Sequence, residues 1–518
     1  MHNFISLLPF SLLSLLQLAS SAPVEKLLTP PAVEVVVRDY NTLNATTWNG
    51  LPGPPVTEST DLDSSSSINN NAAFAVKVLP EATATSTNDN ATTGGTGRLI
   101  PNPLARMVAS ANLTSSSASR LPPDADPLAT AAASGVLTLS IVNKWPSEKV
   151  HVYVTGLDPR GALVMLGQDG RYLYPTTYST TPVEVTGDIA IPVGKPNTTL
   201  ALTLPDYISS SRVWVVDGFL QFYVVATPNG PGLVEPSAVN AADPSSQKNY
   251  GFAELSYAAS YGIYADITAV DFVGLPLGIE LESANSRKQS ILGTPANAAT
   301  TLCNSLTAQS KKDNQPWDQL CVRDSNNKLV RVLAPSNLIS QRPSAFRQYF
   351  SRYINNVWTK FSQEDLIINT QTTAGNVTCR VRNNLLQCAG DNRAHTKPVA
   401  ADIFGCDSGP FLVQPTDNAI HLAVIPRLCA AYNRATFFLT GGNIQPNLGP
   451  EDYYRSPRAG PNVGGPKNWY SKFVHDIEAE GRGYAFAYDD VAPRYEVDQS
   501  GLVASTTPRL LRIIVGGT

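Results

Sequence analysis

From Val136 onward the chain repeatedly alternates apolar and polar residues over short runs, and this pattern restricts the fold more than any other feature. Leu137, Leu139 and Ile141 share one face, and Val150, Val152 and Val154 alternate with His151 and Tyr153. Similar runs recur at Arg212–Val216, Phe219–Ala226, Phe252–Tyr257 and Ile263–Val273, and near the end at Tyr484–Tyr488 and Leu510–Val515. Short strands separated by turn residues predict an antiparallel sandwich or barrel. The middle reads differently. Phe346, Phe350, Tyr353, Ile354, Val357, Trp358 and Phe361 follow helical spacing and predict a helix over Ser344–Phe361. A looser helix is predicted over Ala296–Ser310, strands at Ile420–Ile425 and Thr436–Thr440, and a helix around Trp469–Ile477. The fold class is therefore mainly β, with a β-domain over about 135–285 and 430–518 and a mixed α/β subdomain over about 286–429.

Residues before 135 cannot build such a core. Between Thr57 and Ser134 the chain is rich in Ser, Thr, Ala, Asn and Pro, with Phe74 its only aromatic. That composition buries too little apolar surface to offset ordering entropy, so 22–134 reads as a disordered spacer or propeptide. Ahead of it, Phe4–Leu18 is an apolar run followed by Ala19-Ser20-Ser21-Ala22, the pattern of a secretory signal over 1–21. No later run is long enough to predict a membrane helix.

Cysteine usage agrees with an oxidising compartment. Cys303, Cys321, Cys379, Cys388, Cys406 and Cys429 all lie in the second half. Spacing alone leaves fifteen connectivities, and sequential pairing, 303–321, 379–388 and 406–429, is the simplest. The sequons at Asn44, Asn90, Asn112, Asn197 and Asn376 become glycan acceptors in a secreted chain. With 38 basic and 42 acidic residues, and no basic run interleaved with aromatics, a nucleic-acid partner is not expected. No cofactor or metal is expected, since no close cysteine pair of zinc-site spacing occurs.

Several motifs resemble thaumatin-like proteins. Leu139-Ser-Ile-Val-Asn-Lys144 resembles their opening strand, and Gly251-Phe-Ala-Glu-Leu-Ser-Tyr257 their L-A-E-F-T-L strand. Tyr264-Ala-Asp-Ile267, Val270-Asp-Phe-Val-Gly-Leu-Pro-Leu277 and Tyr484-Ala-Phe-Ala-Tyr-Asp-Asp490 continue the likeness. The run Asn468-Trp-Tyr-Ser-Lys-Phe-Val-His475 and the helical middle region are similar to glycoside hydrolase family 64, the β-1,3-glucanases that share that β-domain. The resemblance covers about residues 136–518. It implies a secreted monomer acting on β-1,3-glucan with inversion, the runner-up being a non-catalytic glucan-binding protein on the same scaffold. Two departures stand out. The thaumatin disulfide framework is absent, and the arginine expected after a Trp-Ala pair is replaced by Arg212 ahead of Trp214.

Glycoside hydrolysis needs one carboxylic acid at the leaving oxygen and a second carboxylate for water or the sugar carbon. Glu254, set among Phe252, Ala253 and Leu255, lies either on a solvated face or in a partly desolvated cleft; the resemblance selects the cleft and the acid role. For its partner, a flat hairpin puts Asp266 opposite Glu254 at about 5 Å. The same hairpin puts Asp271 roughly 17–20 Å along a straight strand. The resemblance nevertheless favours Asp271 as the base, which requires a bend or bulge, and leaves Asp266 as runner-up. Ser256 stands where the family usually has threonine. Asp489 and Asp490 complete an acidic groove by resemblance, or form a turn by their own chemistry. Trp469 and Tyr470 read as core, and His475 as structural. The protease-like Gly405-Cys-Asp-Ser-Gly-Pro410 lacks a histidine in the right setting.

Overall fold

Two sheets pack around one apolar core, and ten of their strands frame it. These strands are β1 (Leu137–Asn143), β2 (Val150–Leu157), β3 (Thr199–Leu204), β4 (Ile208–Asp217), β5 (Asn249–Ala258), β6 (Gly262–Ile267), β7 (Leu277–Ser283), β8 (Lys288–Ile291), β9 (Leu502–Ser505) and β10 (Pro508–Val515). One sheet runs β8-β7-β10-β1-β3, with β10 and β1 parallel. The other runs β9-β6-β5-β4-β2 and continues through Leu163–Leu166 and Tyr172–Leu173. This computed structural model describes residues 33–39, 72–78, 135–228, 230–455, 466–494 and 496–517. Val33–Asp39 and Ala72–Val78 pair antiparallel. The rest of the chain before 135, with the leader, most of the spacer, Asn44, Asn90 and Asn112, lies outside the described residues.

Period-two alternation explains how the second sheet serves two cores. Val213 and Val215 on β4, and Ala253 and Leu255 on β5, pack into the sandwich with Ile141 and Ile513. The intervening residues Trp214, Val216 and Phe252 face the other way, into a larger core shared with the second half of the chain. That half supplies helices α1 (Ala298–Asp313), α2 (Pro335–Gln341), α3 (Ser351–Gln363), α4 (Ala400–Gly405), α5 (Ala419–Arg434) and α6 (Trp469–Ile477). The second sheet is thus covered on both faces. Three disulfides, Cys303–Cys321, Cys379–Cys388 and Cys406–Cys429, close short loops within the covering layer.

Several local expectations are corrected. Ile420–Ile425 lies within helix α5, and Thr436–Phe438 is a single 3-10 turn. Helix α5 is buried almost all round, so it shows no amphipathic period to distinguish it from a buried strand. The helix expected from Ser344 begins at Ser351, and the strand expected from Phe219 begins at Tyr223. Tyr484–Tyr488 is not a strand, because the Asp489 carboxylate accepts from the Ala485 and Phe486 amides and curls the segment. Most consequential, Ile263–Val273 is not one strand: β6 ends at Ile267, and Phe272–Val273 pairs with Val332–Leu333 of the covering layer.

Candidate active site

A polar row crosses the second sheet on the face turned toward the covering layer. Thr155 on β2, Arg212 on β4, Glu254 on β5 and Asp266 on β6 occupy successive paired positions. Glu254 and Asp266 are fully buried and Arg212 is 8% exposed. Glu254 therefore does not lie on a solvated face: it points away from the sandwich, toward the covering layer.

Arg212 organises the row. Its Nε donates to Glu254 Oε1 at 3.0 Å and its Nη1 to Glu235 Oε2 at 2.6 Å, while Nη2 lies 3.9 Å from Asp271 Oδ2. The guanidinium carbon sits 4.3 Å from the centre of the Phe252 ring and 5.4 Å from that of Trp214, a stacking arrangement suited to a delocalised cation. Nε and Nη2 of any guanidinium are about 2.3 Å apart, so Glu254 Oε1 and Asp271 Oδ2 can be separated by at most about 9 Å.

Asp271 reaches this arginine because the chain bends after β6. Ala269 N donates to Tyr484 O, and Tyr470 Oη donates to Ala269 O. The Asp271 carbonyl accepts from Ala334 N and Asn337 Nδ2. The returning segment then lies against the start of β5, where Leu275 N donates to Tyr250 O at 3.0 Å. Glycine makes the approach feasible. A Cβ on Gly274 would sit 2.1 Å from Tyr250 O, and one on Gly251 2.5 Å from Leu275 O. The straight strand that kept Asp271 far from Glu254 is replaced by this bend. The Asp271 side chain is 21% exposed, whereas Asp266 stands opposite Glu254 as the flat hairpin requires.

The remaining acids divide. Burial, and then the charge of Glu254, hold the Asp266 carboxyl well above the usual carboxylate range, with Arg212 opposing. Asp490 is partly exposed, and its charge acts on Asp266. Its own carboxyl is pushed up to about 7 by burial and Asp498, against Arg427 and Arg434. Asp489 does not open onto a groove. It is fully buried; besides the two amides it accepts from Arg434 Nη2 at 3.2 Å, and His475 Nε2 lies 3.2 Å away. Ser256 is half-buried, and its Oγ accepts from Ser210 N beside the irregular start of β4. Tyr470 is core, and Trp469 packs against Phe473 at its edge. Asn197 and Asn376 are exposed. Among the described residues, Cys388, Asp391 and His395 bring potential metal ligands together, but the Cys388 sulfur is bonded to Cys379.

Residues 135–515 match the family model of glycoside hydrolase family 64, described as beta-1,3-glucanase. The chain belongs to this family. It is 25% identical over 275 residues to a glucan endo-1,3-beta-glucosidase of Cellulosimicrobium cellulans, and 26% identical over 279 residues to one of Arthrobacter sp. (strain YCWD3). Each alignment covers 52% of this chain and 46% of the relative, so the chain spans less than half the length of those proteins. Its fold is that of a laminaripentaose-producing beta-1,3-glucanase whose crystal structure holds laminaritetraose. That pair has a TM-score of 0.63 and 23% identity, over 74% of this chain and 98% of the other. A beta-1,3-glucanase domain from Clostridium beijerinckii gives a TM-score of 0.56 at 22% identity, with the same coverage.

Within this family 64 chain, the motifs singled out Glu254, Asp266 and Asp271 but not Arg212, the hub that joins Glu254 to Asp271. Arg212 entered the sequence reading only as a displaced arginine, although its even-numbered place beside Trp214 was a usable signal. Glu235 had none: it follows the strand Gly230–Val234 and meets Arg212 only through the tertiary fold.

Proposed function

We propose that the chain hydrolyses β-1,3-glucan with inversion, Glu254 acting as general acid and Asp271 as general base. The observation that carries this reading is the meeting of both carboxylates on Arg212, one buried and one partly open to solvent. Glu254 delivers a proton to the departing glucosyl oxygen as the C1–O bond breaks. Asp271 takes a proton from the water whose oxygen bonds to C1 on the opposite side. Asp266 stays outside the proton transfer: burial, first of all, holds its carboxyl well above the usual carboxylate range. The limit of about 9 Å on the two oxygens admits the roughly 6.5–9.5 Å that inversion requires. Family membership, the printed activity of the relatives and the laminaritetraose bound to a protein of the same fold support the substrate class.

Secretion belongs to the same reading. The leader-like segment 1–21, three disulfides and the exposed sequons Asn197 and Asn376 support it. Among the described residues no helix is long and apolar enough to cross a membrane. Reducing-sugar release from laminarin by the purified protein is the test. Steady release is expected; binding without release overturns the enzymatic reading in favour of a glucan-binding protein.

A further inference from the structure

We infer that Glu235 is a positioning residue for the glucanase site, holding the guanidinium of Arg212 in the plane from which it meets Glu254 and Asp271. The inference rests on the reading that those two carboxylates carry hydrolysis.

Glu235 reaches the site from outside the sheet that carries Arg212. It follows Gly230–Val234, which pairs with Tyr223–Thr227 in a separate three-stranded sheet, and it is 5% exposed. A planar guanidinium held at one nitrogen can still swing about the bonds that precede it. A second hydrogen bond on another edge removes that freedom. Glu254 takes Nε and Glu235 takes Nη1, which leaves Nη2 directed at Asp271. The rings of Phe252 and Trp214 limit movement out of the plane. Without Glu235, Arg212 loses the hydrogen bond on its Nη1 edge, and the spacing of the proposed pair loses that anchor.

Glu235 also sets how the positive charge is shared. The charged groups facing it are Arg212 from β4, Glu254 from β5 and Asp271 from the bend, with Asp266 beyond Glu254. One cation serves three carboxylates. Burial pushes the Glu235 carboxyl up to about 7 against the pull of Arg212, and Glu254 and Asp271 add to the rise. A charge at Glu235 therefore raises the cost of ionising both catalytic carboxyls and draws on the arginine they share.

The test is Glu235→Gln in the full chain, which keeps size and an acceptor for Nη1 but removes the charge. Rates on laminarin are measured across pH, with thermal unfolding as the check on folding. The alkaline limb of the kcat/KM profile, over which Glu235 carries its charge, is expected to move to lower pH by about half a unit or more, since a like charge has gone. At the optimum, kcat should fall about tenfold with KM changed less than about twofold, because the amide oxygen holds Nη1 less strongly than a carboxylate does and lets Arg212 shift. A purely structural role would lower the unfolding temperature and leave that limb in place. An unshifted alkaline limb and unchanged kcat, in a background where the wild type is active, overturn the inference and leave the glucanase reading standing. A wild-type chain that releases no sugar overturns both. Should Glu235→Gln fail to fold, Glu235→Asp withdraws the carboxylate from Nη1 while keeping its charge. Reduced kcat with an unshifted alkaline limb then supports the inference, and unchanged kcat overturns it.

Discussion

Glu254 and Asp266 face each other at one register position of two paired strands, and water reaches neither side chain. Neither Asp266 oxygen has a hydrogen-bond partner among the described residues. Burial and the Glu254 charge raise its pKa above the unfolded value. The linkage sign follows: Asp266 favours the fold at low pH and costs stability as pH rises above the ordinary carboxylate range. Asp266→Asn, neutral at every pH, should therefore unfold at a higher temperature than wild type at pH 7 and lose little activity. Glu254→Gln and Asp271→Asn should each cost about 10²–10⁴ in laminarin hydrolysis while leaving the fold intact. An inactive Asp266→Asn beside an active Asp271→Asn moves the base assignment to Asp266.

The stereochemistry of the first product follows from the assigned roles. Attack by water on the face opposite the leaving group turns a β-linkage into an α-product. Proton NMR during the first minutes of laminarin digestion should show the α-anomer ahead of mutarotation. An initial β-anomer would require Asp271 to act as nucleophile instead.

The bend that carries Asp271 depends on close backbone contact, so it offers a test away from the carboxylates. Gly274→Ala places a Cβ 2.1 Å from Tyr250 O, a contact that forces the segment outward. We expect kcat to fall at least about tenfold, because a displaced base loses its alignment with Glu254. Gly170→Ala has open space around its Cβ but carries the strain of a positive φ, which Gly274 lacks, so it serves as the control for backbone destabilisation and should lower stability without affecting KM or the pH limbs. An active, normally stable Gly274→Ala would show that the bend tolerates displacement.

His475 ties helix α6 to the turn at Asp489. Burial works against its protonation, but Asp489 and Glu478 outweigh it and lift its pKa to about 10. The stabilisation is complete below the unfolded value near 6.5 and is lost as pH rises through about 10. The unfolding temperature should fall over that window in the wild type and fall less in His475→Gln. Breaking a buried ion pair of this kind costs about 3–5 kcal/mol, so His475→Gln should be less stable than wild type at pH 6.

The β5–β6 hairpin was legible because the polar residues Glu254, Ser256 and Asp266 alternate with residues of the sandwich core. The register of Glu254 with Asp266 followed from it. Helix α5 was not legible, since burial around nearly its whole circumference erases the period that separates helix from strand. The bend after Ile267 was equally hidden, because its hydrogen bonds come from Ala334, Asn337, Tyr470 and Tyr484, all distant in sequence. Arg212 meets Glu254 and Glu235 across 42 and 23 residues. Local pattern carries no trace of such pairings; only the family likeness brought Asp271 to the site.

The two members of the proposed catalytic pair are carried by different parts of the molecule. Glu254 rides on the sheet, whereas the backbone of Asp271 is gripped by Ala334 and Asn337 at the start of α2, and its neighbour Ala269 by Tyr470 of α6. The gap between acid and base is therefore a gauge of how well the covering layer is seated. Mild denaturant that loosens this seating should extinguish laminarin hydrolysis while the sheet's circular dichroism signal is still intact. Under the proposed roles, activity then depends on the fit between the layers as well as on the two carboxylates.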